Sequence, residues 1–108
     1  MIEGGLHKDE GKSLVTSIPP GFILEVGEVF AANHEKYPDI DGQPNYCAGL
    51  RYTRLIGSAL RHVLKFSAGQ DNNEDTGLSH LSHAACCLAM LWYMWSTCSA
   101  DLDDRMDS

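Results

Sequence analysis

Residues 52–95, YTRLIGSALRHVLKFSAGQDNNEDTGLSHLSHAACCLAMLWYMW, decide the fold. In their first part Leu55, Ile56, Ala59, Leu60, Val63, Leu64 and Phe66 recur at the three-, four- and seven-residue spacings of one helical face, while Arg54, Ser58, Arg61 and Lys65 recur on another. The pattern is that of an amphipathic helix with a basic stripe. Residues 68–75 (AGQDNNED) supply the glycine that ends this helix, and Asp75 with Thr76 can cap the next. The second helix carries His80 and His83 and then turns almost wholly apolar. Two helices joined by a short loop pack antiparallel, so the basic stripe and the histidines are expected at a common end of the pair.

Working outward, the 108 residues are enough for one domain with a modest core. Hydrophobic residues reach 44% and gather late in the chain, a distribution that favours self-association of a small fold. A net charge of −7 argues against nucleic acid or an anionic membrane as partner, because both call for a cationic surface. The basic residues are therefore expected to act locally. The apolar run 84–95, opening at Ala84 and closing at Trp95, is 12 residues long, well short of the roughly 20 that span a bilayer. A helix apolar on every side but too short to span is expected to be buried between subunits, which predicts a homo-oligomer through this run. Cys47, Cys86, Cys87 and Cys98 contain no CxxC pair and are read as small buried hydrophobes in a reducing cytosol. His83 and Cys87, four residues apart, leave zinc as a minor option.

The remaining segments complete an all-α expectation: three helices built on a central antiparallel helical hairpin, oligomeric. Residues 1–17, rich in glycine and charge and containing Lys12, read as an extended arm. Residues 18–100 form the single helical domain. Its first helix starts at Pro19-Pro20, carries the stripe Phe22, Ile23, Val26, Val29 and Phe30 with Glu25 and Glu28 on the wet side, and runs to about His34, before Pro38 bars continuation. Residues 38–49 have no periodicity and make a long loop, of the kind that is usually functional or disordered. Residues 101–108 are an acidic tail to which no structure is assigned.

Pyrophosphate hydrolysis on a helical scaffold calls for two or more divalent cations and several carboxylates to hold them. Residues 51–68 and 76–100 contain no Asp or Glu, so such a centre is poorly supported and catalytic residues stay unassigned. A mononuclear metal site could draw on His80, His83 and Glu74, with His62 or Asp71 nearby in sequence. Anion recognition fits the residue types better: Lys12, Lys36, Arg54 and Arg61 for phosphates, with His62, His80 and His83 as further donors. Tyr37, Asn45 and Tyr46 can stack on or hydrogen-bond a base or sugar. Arg51 and Lys65 read as an ordinary solvated face. Arg61 and His62 are adjacent, so their side chains leave the helix in different directions, and a phosphate ligand would offset the cost of burying a guanidinium.

An ordered set of residues runs through the chain: Lys8, Asp9, Gly11 and Lys12; Ile18-Pro19-Pro20; Lys36-Tyr37; Asn45-Tyr46; Tyr52; Ala59; Arg61-His62; Phe66; Gly69; Asp71; Glu74; Gly77-Leu78; His80-Leu81; and His83-Ala84-Ala85. In this the chain resembles the N-terminal domain of phage dATP/dGTP diphosphohydrolases and its short stand-alone phage relatives. It departs from that pattern at Tyr46 and Cys87, where the family has tryptophan and asparagine. The resemblance implies a phage protein, in the cytoplasm of the host cell, whose partner is a phosphorylated nucleotide-type small molecule. In long family members the domain precedes an acidic pyrophosphohydrolase domain, for which this chain has no room. That favours holding the ligand, even sequestering a host immune nucleotide signal, over cleaving it. The alternative is a metal-dependent (d)NTP diphosphohydrolase. Binding alone would need no cofactor, whereas hydrolysis would bring in a divalent metal.

Overall fold

The hairpin forms where the periodicity puts it. A computed structural model describes residues 11–98 and 100–106, so Lys8 and Asp9 lie outside the described residues. It contains helices α1 (Pro20–Lys36), α2 (Tyr52–Ser67) and α3 (His80–Thr97), with single 3₁₀ turns at Val15–Ser17, Asn45–Ala48 and Ala100–Leu102. No strand occurs among the described residues. The fold is thus all-α and three-helical. Of the expected arm, residues 15–17 form an exposed helical turn.

Gly69 ends α2 in the left-handed conformation, at φ 94°, with the amide of Gly69 donating to the Phe66 carbonyl and that of Gln70 to the Lys65 carbonyl, both at 3.0 Å. This paired closure satisfies carbonyls the helix end leaves open, and the φ value disfavours any residue with a side chain. The next helix begins four residues later than Asp75 and Thr76 suggest. Ser79 is its cap, accepting from the Leu81 amide at 3.0 Å, while Asn73 takes the intervening amides of Asp75 and Thr76 into a local turn. A serine beside the first apolar residue offers an acceptor at the orphan amides, and Asn73 has already claimed the competing turn.

α3 is the central helix, packing against both α2 and α1. Its buried apolar residues are Ala84, Cys86, Cys87, Met90 and Met94, and the last four meet Tyr52, Leu55 and Ala59 of α2 and Val29 of α1 in one core. Small residues in the middle of α3 let both neighbours come close, while methionine fills what remains. The run expected to lie wholly between subunits is therefore split: half is internal core, and Leu88, Trp92 and Trp95 stay 55%, 64% and 60% exposed. α1 is attached at one end of its stripe, since Val29 is buried but Phe22, Ile23 and Leu24 are exposed. Glu25 is not on a wet side. It accepts a hydrogen bond from the fully buried Ser82 hydroxyl of α3, which satisfies a polar group the core could not otherwise hold.

Two further expectations are corrected. Cys47 and Cys98 are joined in a disulfide with Cα atoms 6.0 Å apart, so only Cys86 and Cys87 are free thiols. Fifty-one residues separate the pair, a distance no spacing rule reads. The free thiols are buried, and burial pushes Cys86 up to about 12 and raises Cys87, so both are inert. The described part of the tail, residues 101–106, also has structure. Asp104 accepts from the Thr53 amide at 2.9 Å and from its hydroxyl at 2.6 Å, capping α2 from across the chain because Arg51 at the cap position offers no acceptor. Arg105 pairs with Asp103 at 2.7 Å and lies 5.4 Å from the Tyr52 ring centre.

The hydrogen bonds from Thr53 hold the Asp104 carboxyl below its ordinary 3.8. Asp104→Ala should lower the melting temperature at neutral pH, and its difference from the wild type should shrink as the pH falls below 3.8, because the depressed carboxyl stabilises the fold only while ionised. Thermal melts at a series of pH values check this. Denatured, unreduced protein should titrate with two thiols and reduced protein with four.

Candidate functional site

A cleft of about 710 Å³ opens between the C-terminal end of α1, the 37–50 connection and the first three turns of α2, with Met90 of α3 at its base. Each wall follows from local sequence. Pro38 stops α1, leaving Tyr37 outside the helical region, at φ −131° and ψ 79°, with its amide tied to the Asn33 carbonyl at 2.7 Å. The long loop proves to be structured. Ile40 and Gln43 exchange backbone hydrogen bonds of 2.9 and 3.0 Å around Asp41 and Gly42, both at positive φ. Asp and Gly are the residues that tolerate such a tight reversal. The chain then makes the Asn45–Ala48 turn, pinned by the disulfide at buried Cys47 and by an edge-on contact of Tyr46 with Tyr93, ring centres 6.1 Å apart.

Tyr37, Asn45, Tyr46, Arg54 and Arg61 all line this cleft. Arg54 and Arg61 are seven residues apart, two turns along one helix face, with Ser58 between them also lining it. No ion pair among the described residues engages either guanidinium. Burial raises the Tyr46 hydroxyl, with Tyr93, Cys86 and Asp39 adding to it, so the hydroxyl stays protonated and available as a donor. Asn45 Nδ2 donates to the Pro38 carbonyl at 3.3 Å, steadying the loop. Asn33, Asp39 and His34 complete the polar lining, the last two 3.5 Å apart. These three were not among the expected site residues. Asn33 and His34 fall on a helix whose stripe drew attention to its apolar side, and nothing in their spacing pointed to a ligand.

The histidines gather elsewhere. His62 Nδ1 and His80 Nδ1 share a hydrogen bond of 2.9 Å, and the His62 ring stacks on His83 with centres 4.8 Å apart. His83 Nε2 is bonded in turn to the Thr76 hydroxyl at 2.7 Å. This chain of rings joins the end of α2 to the start of α3, as the antiparallel pairing requires. His80 is only 2% exposed and serves the interior. Among the described residues no group of three His, Cys, Asp or Glu is disposed to hold a metal ion, so His80, His83 and Glu74 do not form one. His62 and His80 engage each other through Nδ1, and His83 engages Thr76 through Nε2.

One convergence was expected and two are seen. Arg61 turns to the cleft and His62, one residue on, to the imidazole junction. Lys36 lies beside the cleft, its ammonium 5.5 Å from the Tyr37 ring centre, without lining it. Lys12 is exposed and lines neither.

A family model described as dATP/dGTP diphosphohydrolase, N-terminal, matches residues 3–105. Over 90 residues the chain is 36% identical to a dATP/dGTP diphosphohydrolase of Salmonella phage PMBT28, a match that covers 83% of this chain and 29% of that protein. The chain thus spans under a third of the length of that curated relative. No solved structure matches.

Burial, then His83 and His80, then Lys65 and Arg61, lower His62 from 6.5 to about 4. His83 is also lowered by burial and His80, against weaker pulls from Glu25 and Asp75. A depressed imidazole favours the fold while neutral, so stability should be complete above pH 6.5 and fall as the pH drops from there toward about 4. Urea unfolding across this window should show that loss, and His62→Gln should flatten it.

Proposed function

Because this chain belongs to the family of dATP/dGTP diphosphohydrolase N-terminal domains, we propose that its cleft binds a phosphorylated nucleotide-type small molecule. The observation that carries the reading is the union, in one 710 Å³ hollow, of two guanidiniums without carboxylate partners among the described residues and two tyrosines with an asparagine. Cavities of roughly 300–1,000 Å³ suit ligands of nucleotide size. Arg54 and Arg61 offer forked donors to phosphate oxygens, and Ser58 adds a hydroxyl between them. Tyr37 and Tyr46 also line the hollow and would give a base a ring to lie against, and Asn45 and Asn33 would offer their amide oxygens and remaining N–H groups to its edge. No metal is needed for these contacts.

We favour retention of the ligand over cleavage, since α2 and α3 carry no carboxylate. Sequestration, including that of a host immune nucleotide signal, is the finer form of this reading. The second reading is metal-dependent nucleotide hydrolysis, and likeness to the dATP/dGTP diphosphohydrolase of the Salmonella phage supports the hydrolysis. In that case the divalent metal would arrive with the phosphates or be held with help from parts of the relative that this chain does not match. Self-association belongs to the same proposal: the exposed Leu88, Trp92 and Trp95 give the face through which copies would pair.

Incubation with dATP, dGTP and cyclic nucleotides, with and without magnesium or manganese, followed by heating and analysis of the released material, separates the readings. Intact nucleotide recovered from denatured protein is the expected result; monophosphate and pyrophosphate would mean hydrolysis. Arg61→Ala should remove nucleotide-induced thermal stabilisation, corresponding to about tenfold or greater loss of affinity for one charged hydrogen bond, without lowering the melting temperature of the free protein. Unchanged stabilisation would take Arg61 out of the site. Sedimentation of Trp92→Glu should show smaller species than the wild type.

A further inference from the structure

Among the described glycines, Gly57 alone has a neighbour where its missing side chain would stand: a Cβ there would lie 3.2 Å from Arg61 Nη1. The geometry has a simple origin. Helical side chains lean toward the N-terminus of their own helix, so a long side chain lies over the residue four positions earlier. For Arg61 that residue is Gly57. Its guanidinium therefore rests against bare backbone, inside the wall that Arg54, Ser58 and Arg61 give to the cleft.

Glycine is an unfavourable choice for the interior of a helix such as α2, where it sits six residues from the start. Arg61 also lacks any other restraint of strength: no carboxylate among the described residues pairs with it, and its residue is exposed. A guanidinium so placed is free to extend into solvent unless the surface beneath it has room for it to lie flat. Gly57 supplies that room.

We propose that Gly57 is a positioning residue for the cleft, its absent side chain letting Arg61 lie back along α2 with the guanidinium turned to the bound anion. This rests on the reading of the cleft as an anion site. Alanine at 57 would crowd Nη1, and the flexible arginine would move away at little expense to the fold. The signature is a separation of effects, in which binding weakens while the helix gains.

The test uses the full chain, with dGTP, dATP and inorganic tripolyphosphate as probes in calorimetric titrations. Gly57→Ala should melt at or above the wild-type temperature and bind the probes roughly tenfold more weakly, the loss of about one charged contact. On an Arg61→Ala background the same change should have no further effect, since both act through one group. In ligand-free protein, the Arg61 Nε–Hε resonance should move in Gly57→Ala while that of Arg54 stays. Binding at wild-type strength, a full additional loss on the Arg61→Ala background, or an unmoved Arg61 resonance would each overturn the proposal. If Arg61→Ala leaves binding intact, the anion-site reading fails by itself, and the resonance still decides whether Gly57 sets the position of Arg61.

Discussion

Close approach at the middle of α3 is the constraint on which the rest of the molecule depends. Ala84, Cys86 and Cys87 are small enough for α2 to lie along one side and α1 along another, so a single helix supplies core to both. A larger side chain there would push a neighbour outward and lose contacts that a short chain has no second core to replace. The polar groups caught in this packing are accommodated in pairs: Ser82 with Glu25, Asn33 with the Cys86 sulfur, and the Cys87 thiol with Ser58. Each ties α3 to a neighbour, and the last two reach residues that line the cleft. The shape of the cleft is thus coupled to the packing of α3.

From that arrangement α2 acquires two functions. One face of it presents Arg54, Ser58 and Arg61 to the cleft, while another delivers His62 to the rings of His80 and His83. Adjacent residues on a helix point about 100° apart, which is why Arg61 and His62 serve different places. The imidazole junction has the burial and internal hydrogen bonding of structural joinery. The cleft is lined by two guanidiniums that no carboxylate among the described residues pairs with, and by two asparagines that each donate to a neighbouring segment. The proposal of an anion site therefore rests on the second and not on the first.

Where period and punctuation are strong, the chain was legible. The two long helices and the glycine stop at residue 69 follow from local patterns, whereas of the ten residues expected to converge on one ligand only Tyr37, Asn45, Tyr46, Arg54 and Arg61 line a common cleft. What escaped depends on partners distant in sequence. The bond between Cys47 and Cys98, the cap that Asp104 gives to Thr53 and the turning of Glu25 toward Ser82 all join segments more than 50 residues apart. Imidazoles at 62, 80 and 83 look equally suited to ligand or core. Burial decides between these, and burial is settled only when helices meet. The start of α3 was misplaced for a local reason, Asn73 having taken the amides that a cap at Asp75 would have needed.

The disulfide also has a topological meaning. Residues 47–98 form a closed covalent loop that contains α2 and α3 entire and leaves α1 outside it. The cleft lies across that boundary: Arg54, Ser58, Arg61 and Met90 belong to the loop, whereas Phe30, Asn33 and Tyr37 belong to the free segment. Swinging α1 away would unroof the cavity while every link of the closed circuit stayed intact, and α1 is the helix whose first turns are least embedded. Opening of the hollow is in this way separable from the integrity of the two-helix frame that walls it.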